Sequence, residues 1–298
     1  MPDQLQAKLL KAAIAEKCAI DMDVTVFATI DSTNSWSLLQ CKAGTRPPFA
    51  CFTEVQTQGK GRRGKHWLMP ARANIALSLS WPFDLSRQPL YLLPLSVAVA
   101  IVNSLESFGL KQVQIKWPND VYVCGKKIAG VLIETRSANV NSSIGEAREM
   151  AAVIGIGLNY DMASLAQEPS SEKFVFTDIC EQIKMQHTDR MPGRAEAAAC
   201  LLQHVIGVCQ NFQQQAAQHL EVFRSRYDYC WQKNVEIILE NNEVLSGIAQ
   251  GVTDRAELIA IIEGERRVFN SADVSVKASP ASREQEEAVS AKAMPEVS

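Results

Sequence analysis

The sequence lacks several short motifs that identify common kinds of protein. Its eight cysteines form no C-x-x-C pair, and no cluster of cysteine and histidine has the spacing of a zinc site. It also lacks the G-x-x-x-x-G-K-[ST] loop that binds nucleotide phosphates, and Gly155 and Gly157 do not complete a G-x-G-x-x-G dinucleotide pattern. These absences argue against a zinc-stabilised domain, a P-loop NTPase and a Rossmann-type enzyme, and we expect no metal site built from the protein alone.

Excess positive charge and long apolar runs are also missing. The formal net charge is −3, whereas a protein that binds mainly DNA phosphates is usually basic. Charged residues recur between Asp3 and Lys17, which excludes an apolar signal region, and we find no run of about 18 apolar residues that would cross a membrane. We therefore expect a cytoplasmic protein with reduced thiols and with neither DNA nor a membrane as a partner.

A glycine-rich basic stretch is the most unusual segment that is present. Gly59 to Lys65 contains three glycines and four fixed cations, and an aromatic pair follows it. Glycine lets backbone N–H groups approach a ligand closely, while arginine and lysine bind phosphate or carboxylate. The stretch belongs to a loop at 55–71, between predicted strands at 49–54 and 74–81, and this loop is long for a simple β connection. The pattern predicts an anion cradle, although a solvated basic loop or a nucleic-acid patch has the same composition.

A polar segment, Asp31-Ser32-Thr33-Asn34, follows a predicted strand at 24–29. Its residue types are those preferred at a helix N-cap. A helix N-terminus also presents free N–H groups, so the same segment is a candidate for recognising a polar ligand.

A predicted hairpin places two oppositely charged residues on neighbouring strands. Its strands lie around 121–123 and 126–134, joined by a tight turn. Asp120 and Lys127 then lie close together across the hairpin, either as a simple ion pair or as part of a site. Gly130 is unusual inside an apolar strand and indicates close approach of a ligand to the backbone.

The remaining pattern divides the chain into three parts. We expect a large domain over 1–232 that begins with a helix within 1–20, a small β-barrel over 233–277 and a disordered tail over 278–298.

Apolar periodicity within the large domain predicts a buried helix over 89–108. A second helical segment from 195 to 229 is either one helix or two helices broken near 218–221. The segments 138–148 and 160–192 are predicted connections.

Four stretches in order carry a family resemblance: Asp31 to Asn34, Gln56 to Trp67, Lys116 to Asp120 followed by Lys127 to Gly130, and Gly155 to Asn159. Together with the small β domain after them, they resemble the biotin–protein ligases over about residues 24–276. The resemblance implies an α+β fold, with a mixed β-sheet flanked by helices as in class II aminoacyl-tRNA synthetases and biotin ligases, and a C-terminal SH3-like β-barrel. Because the first strand begins near residue 24, it also implies a ligase-only form without an N-terminal DNA-binding domain.

The resemblance also implies an activity, that of a biotin–[acetyl-CoA-carboxylase] ligase. Such an enzyme activates biotin with ATP and Mg²⁺ to biotinyl-5′-AMP and releases pyrophosphate. It then transfers biotin to one lysine of a biotin carboxyl carrier domain. The large domain would bind biotin and ATP, and an edge strand of its sheet offers a route to a homodimer.

Site residues carry over from the family position by position. The implied catalytic residues are Lys127, Asp120 and Arg62; Lys127 contacts the carboxylate and then the acyl-phosphate, and Asp120 orients or deprotonates the incoming lysine. The implied biotin-binding residues are Ser32, Thr33, Asn34, Gln56, Gly59, Lys60, Gly61, Arg62, Lys127 and Gly130. The implied ATP-binding residues are Arg62, Arg63, Trp67, Asn119, Asp120, Lys127, Asn159 and Lys277.

Two departures and three alternatives bear on this interpretation. Lys277 stands where the family can supply an arginine toward the nucleotide phosphate. Lys60 stands where the family commonly has arginine, so the charge is kept and the bidentate geometry is lost. A lipoate or octanoate transferase shares the catalytic fold, but the complete Gly59-to-Gly64 loop and the small β domain favour a biotin ligase. A non-catalytic nucleic-acid-binding module would need aromatic residues on its barrel, and 235–270 contains only Phe269. The presence of both Asp120 and Lys127 argues against a catalytically inactive biotin sensor.

Overall fold

The computed structural model describes residues 4–84, 90–137, 149–163, 176–188 and 190–278. These residues belong to two compact units, Met1–Tyr227 and Asp228–Ser298, so the second unit starts slightly before the predicted boundary at 232–233. The predicted connection at 138–148 and the tail from 279 onward lie outside the described residues.

The first unit contains both helices and strands. Its α-helices, within the described residues, are α1 (Ala7–Cys18), α2 (Thr33–Lys42), α3 (Leu93–Ser107), α4 (Ile179–Met185), α5 (Arg194–Gln210) and α6 (Phe212–Val222). Its strands are β1 (Asp23–Phe27), β2 (Phe49–Thr53), β3 (Asn74–Asp84), β4 (Val113–Lys116), β5 (Asp120–Val123), β6 (Lys126–Ser137) and β7 (Glu149–Asn159).

One mixed sheet organises the first unit. Its seven strands lie in the order β1-β2-β3-β7-β6-β5-β4. Only the β1–β2 pair is parallel, and every other neighbouring pair is antiparallel. The prediction of a mixed sheet flanked by helices is confirmed. In the register of the sheet, Gly130 of β6 lies between Asp120 of β5 and Gly157 of β7.

Different helices cover the two faces of this sheet. Ser78 of β3 points toward α2, where its hydroxyl contacts Thr33 and Asn34. Phe83 of the same strand packs edge-to-face on Phe212 of α6, with ring centroids 5.6 Å apart. Helix α6 packs with α3 and α5, and α5 packs with α1. Because side chains alternate between faces along a strand, α2 covers one face and the layer of α1, α3, α5 and α6 covers the other.

Helix α3 is the apolar core of the helical layer. It begins at Leu93 with Pro94 in its first turn and ends just before Gly109, whose φ of 82° is one that glycine adopts readily. By length and composition, the segment Leu90–Ser107 is apolar enough to cross a membrane, which corrects the expectation that no such run exists. It is 67% buried inside the fold, as is typical of a core helix in a soluble domain.

Two helical predictions need correction. The segment from 195 to 229 breaks at Asn211, between α5 and α6, and not near 218–221. The connection at 160–192 contains the short helix α4, which the sequence analysis did not predict. Asp178 caps this helix by accepting a hydrogen bond of 2.7 Å from Glu181 N.

The second unit is a small antiparallel sheet. Its strands are β8 (Asn234–Ile238), β9 (Val244–Val252), β10 (Leu258–Ile262), β11 (Glu265–Phe269) and β12 (Ser275–Ala278), in the order β11-β10-β9-β8-β12. The first four strands confirm the predicted β domain. Strand β12 was not predicted, and it includes Ala278, which the sequence analysis assigned to the tail.

Candidate active site

Three side chains from two segments converge around Gly130. Lys127 Nζ lies 2.7 Å from Asp120 Oδ2 and 5.5 Å from the centre of the Trp67 ring. A Cβ atom placed on Gly130 would lie 3.2 Å from Asp120 Oδ1, 3.2 Å from Trp67 Cζ3 and 3.3 Å from Lys127 Nζ. The missing side chain therefore leaves the space in which the carboxylate, the ammonium group and the indole meet. The side chains of Lys127 and Asp120 are 30% and 24% exposed, so a ligand can reach them.

The hairpin register explains how the pair forms. Asp120 pairs with Gly130 across the ladder, whereas Lys127 pairs with Tyr122. A bulge between Val121 and Tyr122 separates these two pairings. Because a bulge increases local twist and redirects side chains, it allows the two charged groups to meet although they are not directly opposite.

The indole ring of Trp67 packs directly against the backbone of Gly157 in β7. A Cβ atom on Gly157 would overlap the ring at Cε2, so only glycine at this position leaves room for the indole. The indole nitrogen Nε1 is buried and has no hydrogen-bond partner among the described residues. Trp67 thus forms an apolar wall next to Lys127.

A chain of polar groups lies at the start of α2, on the same face of the sheet. Thr33 donates from its N–H and its hydroxyl to Gln56 Oε1, at 2.9 and 3.1 Å. Ser78 Oγ lies 2.8 Å from Thr33 Oγ1 and 2.6 Å from Asn34 Oδ1, and Asn34 Nδ2 donates to Glu134 Oε2 at 2.9 Å. Gln56 thus uses its amide oxygen inside the protein, and its Nε2 remains as a donor.

The predicted N-cap is confirmed at Ser32. Its hydroxyl accepts a hydrogen bond of 3.4 Å from Ser35 N at the first turn of α2. Ser32, Thr33 and Asn34 are all buried, and a Cβ atom on Gly155 would overlap Asn34 Oδ1. Both polar atoms of Asn34 bond to the protein, which favours a positioning role for this residue.

The glycine-rich loop folds back on itself as an irregular hairpin. Trp67 N donates to Gly59 O at 2.9 Å, and Gly61 N donates to Lys65 O at 2.7 Å. A Cβ atom on Gly59 would lie 2.5 Å from Trp67 O, so this close approach of two backbones requires glycine. The tip of the hairpin is a 3₁₀ turn over Arg62–Gly64, and Arg63 and Lys65 are exposed there, as is Lys60 farther down the hairpin.

Arg62 connects this loop to the hairpin that carries Asp120. Its Nη1 donates to Asn119 Oδ1 at 3.1 Å. Burial lowers the pKa of the Arg62 guanidinium, and the nearby Asp120 carboxylate opposes that shift. Asn119 in turn donates from Nδ2 to Val131 O at 2.6 Å. This hydrogen bond ties the turn that precedes Asp120 to strand β6.

Two further predicted ATP-binding residues have their own partners within the protein. Asn159 is buried, where its Oδ1 accepts a hydrogen bond from Asn74 at 3.2 Å and its Nδ2 donates to Thr177 O at 2.9 Å. Lys277 belongs to the second unit, where its ammonium group lies 3.9 Å from Glu236 on the neighbouring strand.

The described residues do not supply a metal cage. Within the described parts of the first unit and the second unit, no three His, Cys, Asp or Glu side chains converge. The carboxylate nearest the centre of the cluster, Asp120, is already paired with Lys127. A divalent cation here would therefore depend on oxygen atoms from a bound substrate.

Sequence reasoning missed several residues that shape the site, above all Ser78, Glu134 and Asn74. Ser78 lies in a predicted strand of alternating pattern, and Glu134 lies at the end of a predicted apolar strand. A polar residue in such a strand is only a weak indication of a functional position. Ser78 and Glu134 meet Asn34 of α2 across 44 and 100 residues of sequence, and only the packing of α2 on the sheet brings them together.

Comparison with known proteins identifies the family. Residues 26–159 match the family described as Biotin/lipoate A/B protein ligase family, and residues 233–277 match the Biotin protein ligase C terminal domain. The Bifunctional ligase/repressor BirA of Salmonella typhimurium is 28% identical over 258 residues, which cover 86% of this chain and 74% of that protein. The Biotin–[acetyl-CoA-carboxylase] ligase of Mycobacterium tuberculosis is 26% identical over 254 residues, covering 84% of this chain and 87% of that protein.

Solved structures agree at the level of the fold. The biotin protein ligase from Aquifex aeolicus, in complex with biotin and ATP, superposes with a TM-score of 0.66 at 21% identity, covering 86% of this chain and 99% of that one. The fold agrees with the family match over residues 26–159, which defines a protein of the biotin/lipoate A/B ligase class. The biotin protein ligase C-terminal domain follows at 233–277, and the two matches together span more than half of the chain, so the chain belongs to the biotin protein ligase family.

Proposed function

We propose that this protein is an ATP-dependent biotin–protein ligase that forms biotinyl-5′-AMP and passes biotin to a lysine of a biotin carboxyl carrier domain. The observation that carries the proposal is the convergence of Lys127, Asp120 and Trp67 at Gly130, beside a loop rich in glycine and cations. Family membership limits the carboxylic acids to biotin and lipoate-like acids, and the C-terminal domain favours biotin.

The first step joins two anions. An oxygen of the biotin carboxylate attacks the α-phosphorus of ATP, and the bond from that phosphorus to the bridging oxygen breaks as pyrophosphate leaves. Lys127 contacts the carboxylate and then the acyl-phosphate, and Arg62 and Arg63 face phosphate. Fixed cations and loop N–H groups lower the repulsion between the reactants and stabilise charge in the transition state.

The second step needs a neutral amine. The carrier lysine attacks the acyl carbon of biotinyl-5′-AMP, an amide bond forms, and AMP leaves with the electrons of the acyl–phosphate bond. Asp120 orients this lysine and accepts its proton, because an amine attacks only through its lone pair. Its place beside Lys127 allows both steps to use one position of the acyl group.

The polar chain and the indole wall fit the two ends of biotin. Thr33 and the free amide donor of Gln56 bind the ureido ring, and Ser32 and Asn34 hold the start of α2 in place. Trp67 and Gly130 enclose the apolar valeryl chain. The loop from Gly59 to Arg62, with Lys60, closes over the ligand.

Several finer assignments follow the family resemblance. That resemblance assigns Asn119, Asn159 and Lys277 to the nucleotide, with the buried Asn159 acting through its hydrogen bonds to Asn74 and Thr177. Mg²⁺ accompanies ATP and is held mainly by phosphate oxygens, because the described residues offer no three convergent metal ligands. We expect a cytoplasmic enzyme that uses neither DNA nor a membrane and that is able to dimerise through a sheet edge.

The test is biotin-dependent exchange of radioactive pyrophosphate into ATP by the purified chain. Lipoate and octanoate serve as parallel substrates. Exchange with biotin alone is the expected result. Exchange with lipoate or octanoate instead would reassign the chain within its class, and absence of exchange with every acid would contradict the proposed adenylation.

Replacing Arg62 with alanine is expected to release biotinyl-5′-AMP about 10- to 100-fold faster. The change removes a charge-assisted donor, and such hydrogen bonds contribute about 1.5–3 kcal/mol. The measurement is the dissociation rate of the isolated intermediate complex. Lys65→Ala is the matched control, because Lys65 is an exposed cation on the same loop. Equal release rates in the Arg62 variant and the wild type would remove Arg62 from the site.

Replacing Gly157 with alanine is expected to raise KM for biotin roughly 10- to 100-fold. The added methyl group overlaps the Trp67 ring, and overpacking of this kind costs about 1–3 kcal/mol. Steady-state exchange at varied biotin concentration measures the effect. Gly207→Ala, where an added Cβ meets no atom within 4 Å, should keep the wild-type KM. A normal KM for the Gly157 variant would show that the indole wall does not touch biotin.

A further inference from the structure

We propose that Arg194 is a positioning residue for the segment 55–73, which we call the biotin loop. It holds the two residues that flank this loop, Glu54 and Asn74, which form the loop base. The inference rests on the proposed function and adds to it a residue outside the ligand-binding groups. Arg194 is the first residue of α5, on the helical layer behind the sheet. It touches none of the groups assigned to biotin or ATP, so its action on the reaction is indirect.

Arg194 contacts both residues of the loop base. Its Nη1 lies 2.6 Å from Glu54 Oε2, and its Nε donates to Asn74 O at 2.9 Å. The side chains of Arg194 and Glu54 are only 3% and 5% exposed. The planar guanidinium fork sets the separation of its two partners more rigidly than a lysine ammonium would.

Glu54 and Asn74 are in turn connected to the loop by further hydrogen bonds. Glu54 O accepts a hydrogen bond from Arg72 N at 3.2 Å, which closes the base a second time. Asn74 Nδ2 donates to Leu68 O and to Asn159 Oδ1, both at 3.2 Å. Leu68 adjoins Trp67, so a shift of Asn74 moves the backbone that carries the indole wall.

A contribution to folding stability does not by itself explain the buried ion pair of Arg194 with Glu54. Replacing a buried ion pair by apolar side chains of similar size is often neutral or stabilising. Moreover, Arg194 Nη2 and Asn74 Oδ1 are buried without a partner among the described residues, so the network is not fully satisfied. A geometric role explains better than stability why a charged fork stands here, since a loop that opens for biotin and closes over biotinyl-5′-AMP needs fixed ends.

The decisive experiment compares Arg194→Met with Val205→Ala. Val205 lies on the same helix with no solvent exposure, so its truncation destabilises the core without touching the loop base. We measure Tm, KM for biotin in the exchange reaction and the dissociation rate of biotinyl-5′-AMP. At a comparable loss of Tm, Arg194→Met should raise the dissociation rate and KM at least about tenfold, and Val205→Ala should change neither by more than about twofold. Equal effects of the two variants on retention, or no effect of Arg194→Met, would overturn the inference.

A second variant, Arg194→Lys, and a proteolysis measurement without ligand provide two further tests of the inference. Arg194→Lys keeps the charge and loses the fork, so it should fold and still release the intermediate faster than wild type; wild-type retention in this variant would contradict the role of the fork. Trypsin cleavage at the exposed Arg63 and Lys65 reports loop opening without any substrate. Faster cleavage in Arg194→Lys than in Val205→Ala supports the inference even if the wild type shows no exchange, whereas equal cleavage contradicts it.

Discussion

Replacing Lys127 with alanine is expected to lower biotin-dependent pyrophosphate exchange by about 10²–10³-fold. In the proposed reaction, the change removes the cation that faces the biotin carboxylate as it meets the phosphate. It also leaves Asp120 without its partner at 2.7 Å, so that a negative charge stands where two anionic substrates must come together. Both consequences act on the same step, and the loss should appear in kcat at saturating biotin and ATP.

The neighbouring lysine provides the matched control. Lys126 is the first residue of β6 and pairs with Glu181 at 3.2 Å, outside the cluster at Gly130. Lys126→Ala should therefore keep exchange within about twofold of the wild type, since exposed pairs contribute about 0–1 kcal/mol. Normal exchange in the Lys127 variant, or equal losses in both variants, would remove Lys127 from the reaction.

Replacing Asp120 with asparagine is expected to separate the two steps. Exchange should persist, because adenylation needs no base on the carrier side. Transfer to a carrier domain should fall by about 10²–10⁴-fold, the usual contribution of a positioned base. A single-turnover measurement with preformed biotinyl-5′-AMP isolates this second step. The defect should lessen as pH rises, since more of the acceptor lysine is then neutral without help.

Hydroxylamine gives an internal control for the Asp120 variant. This small nucleophile is neutral near pH 7 and should remove biotin from the adenylate at similar rates in the variant and the wild type. A variant that loses exchange and hydroxylamine reactivity together would assign Asp120 to binding or to adenylation. Wild-type transfer to the carrier would contradict any role of Asp120 as a base.

The order of the elements was largely predictable from the sequence, because the period of the apolar residues differs between strands and helices. The helix break at Asn211 was not, since neither proline nor glycine marks it. The missed helix α4 did carry a local signal. Asp178 followed by Glu181 has the spacing of a capping box, but a helix of seven residues has too few apolar positions to show a period.

The site was predictable only in part. The motifs indicated Lys127, Asp120 and the glycine-rich loop, and the hairpin spacing already predicted that Asp120 and Lys127 lie close together. The buried partners Ser78 and Arg194 were not predictable, because each meets its partners across 44 to 140 residues of chain. No local pattern encodes such contacts. They follow from the packing of α2 on one face of the sheet and of α5 on the other.

The empty position at Gly130 has a genetic consequence. Glycine and alanine codons differ by one base, and the added methyl group would lie 3.2–3.3 Å from the carboxylate, the indole and the ammonium group at the same time. The strand around it needs no side chain there to pair with its neighbours. We therefore expect Gly130→Ala to shift these three groups by a few tenths of an ångström and to lower pyrophosphate exchange while the chain still folds, so a screen based on protein abundance would record such an allele as normal.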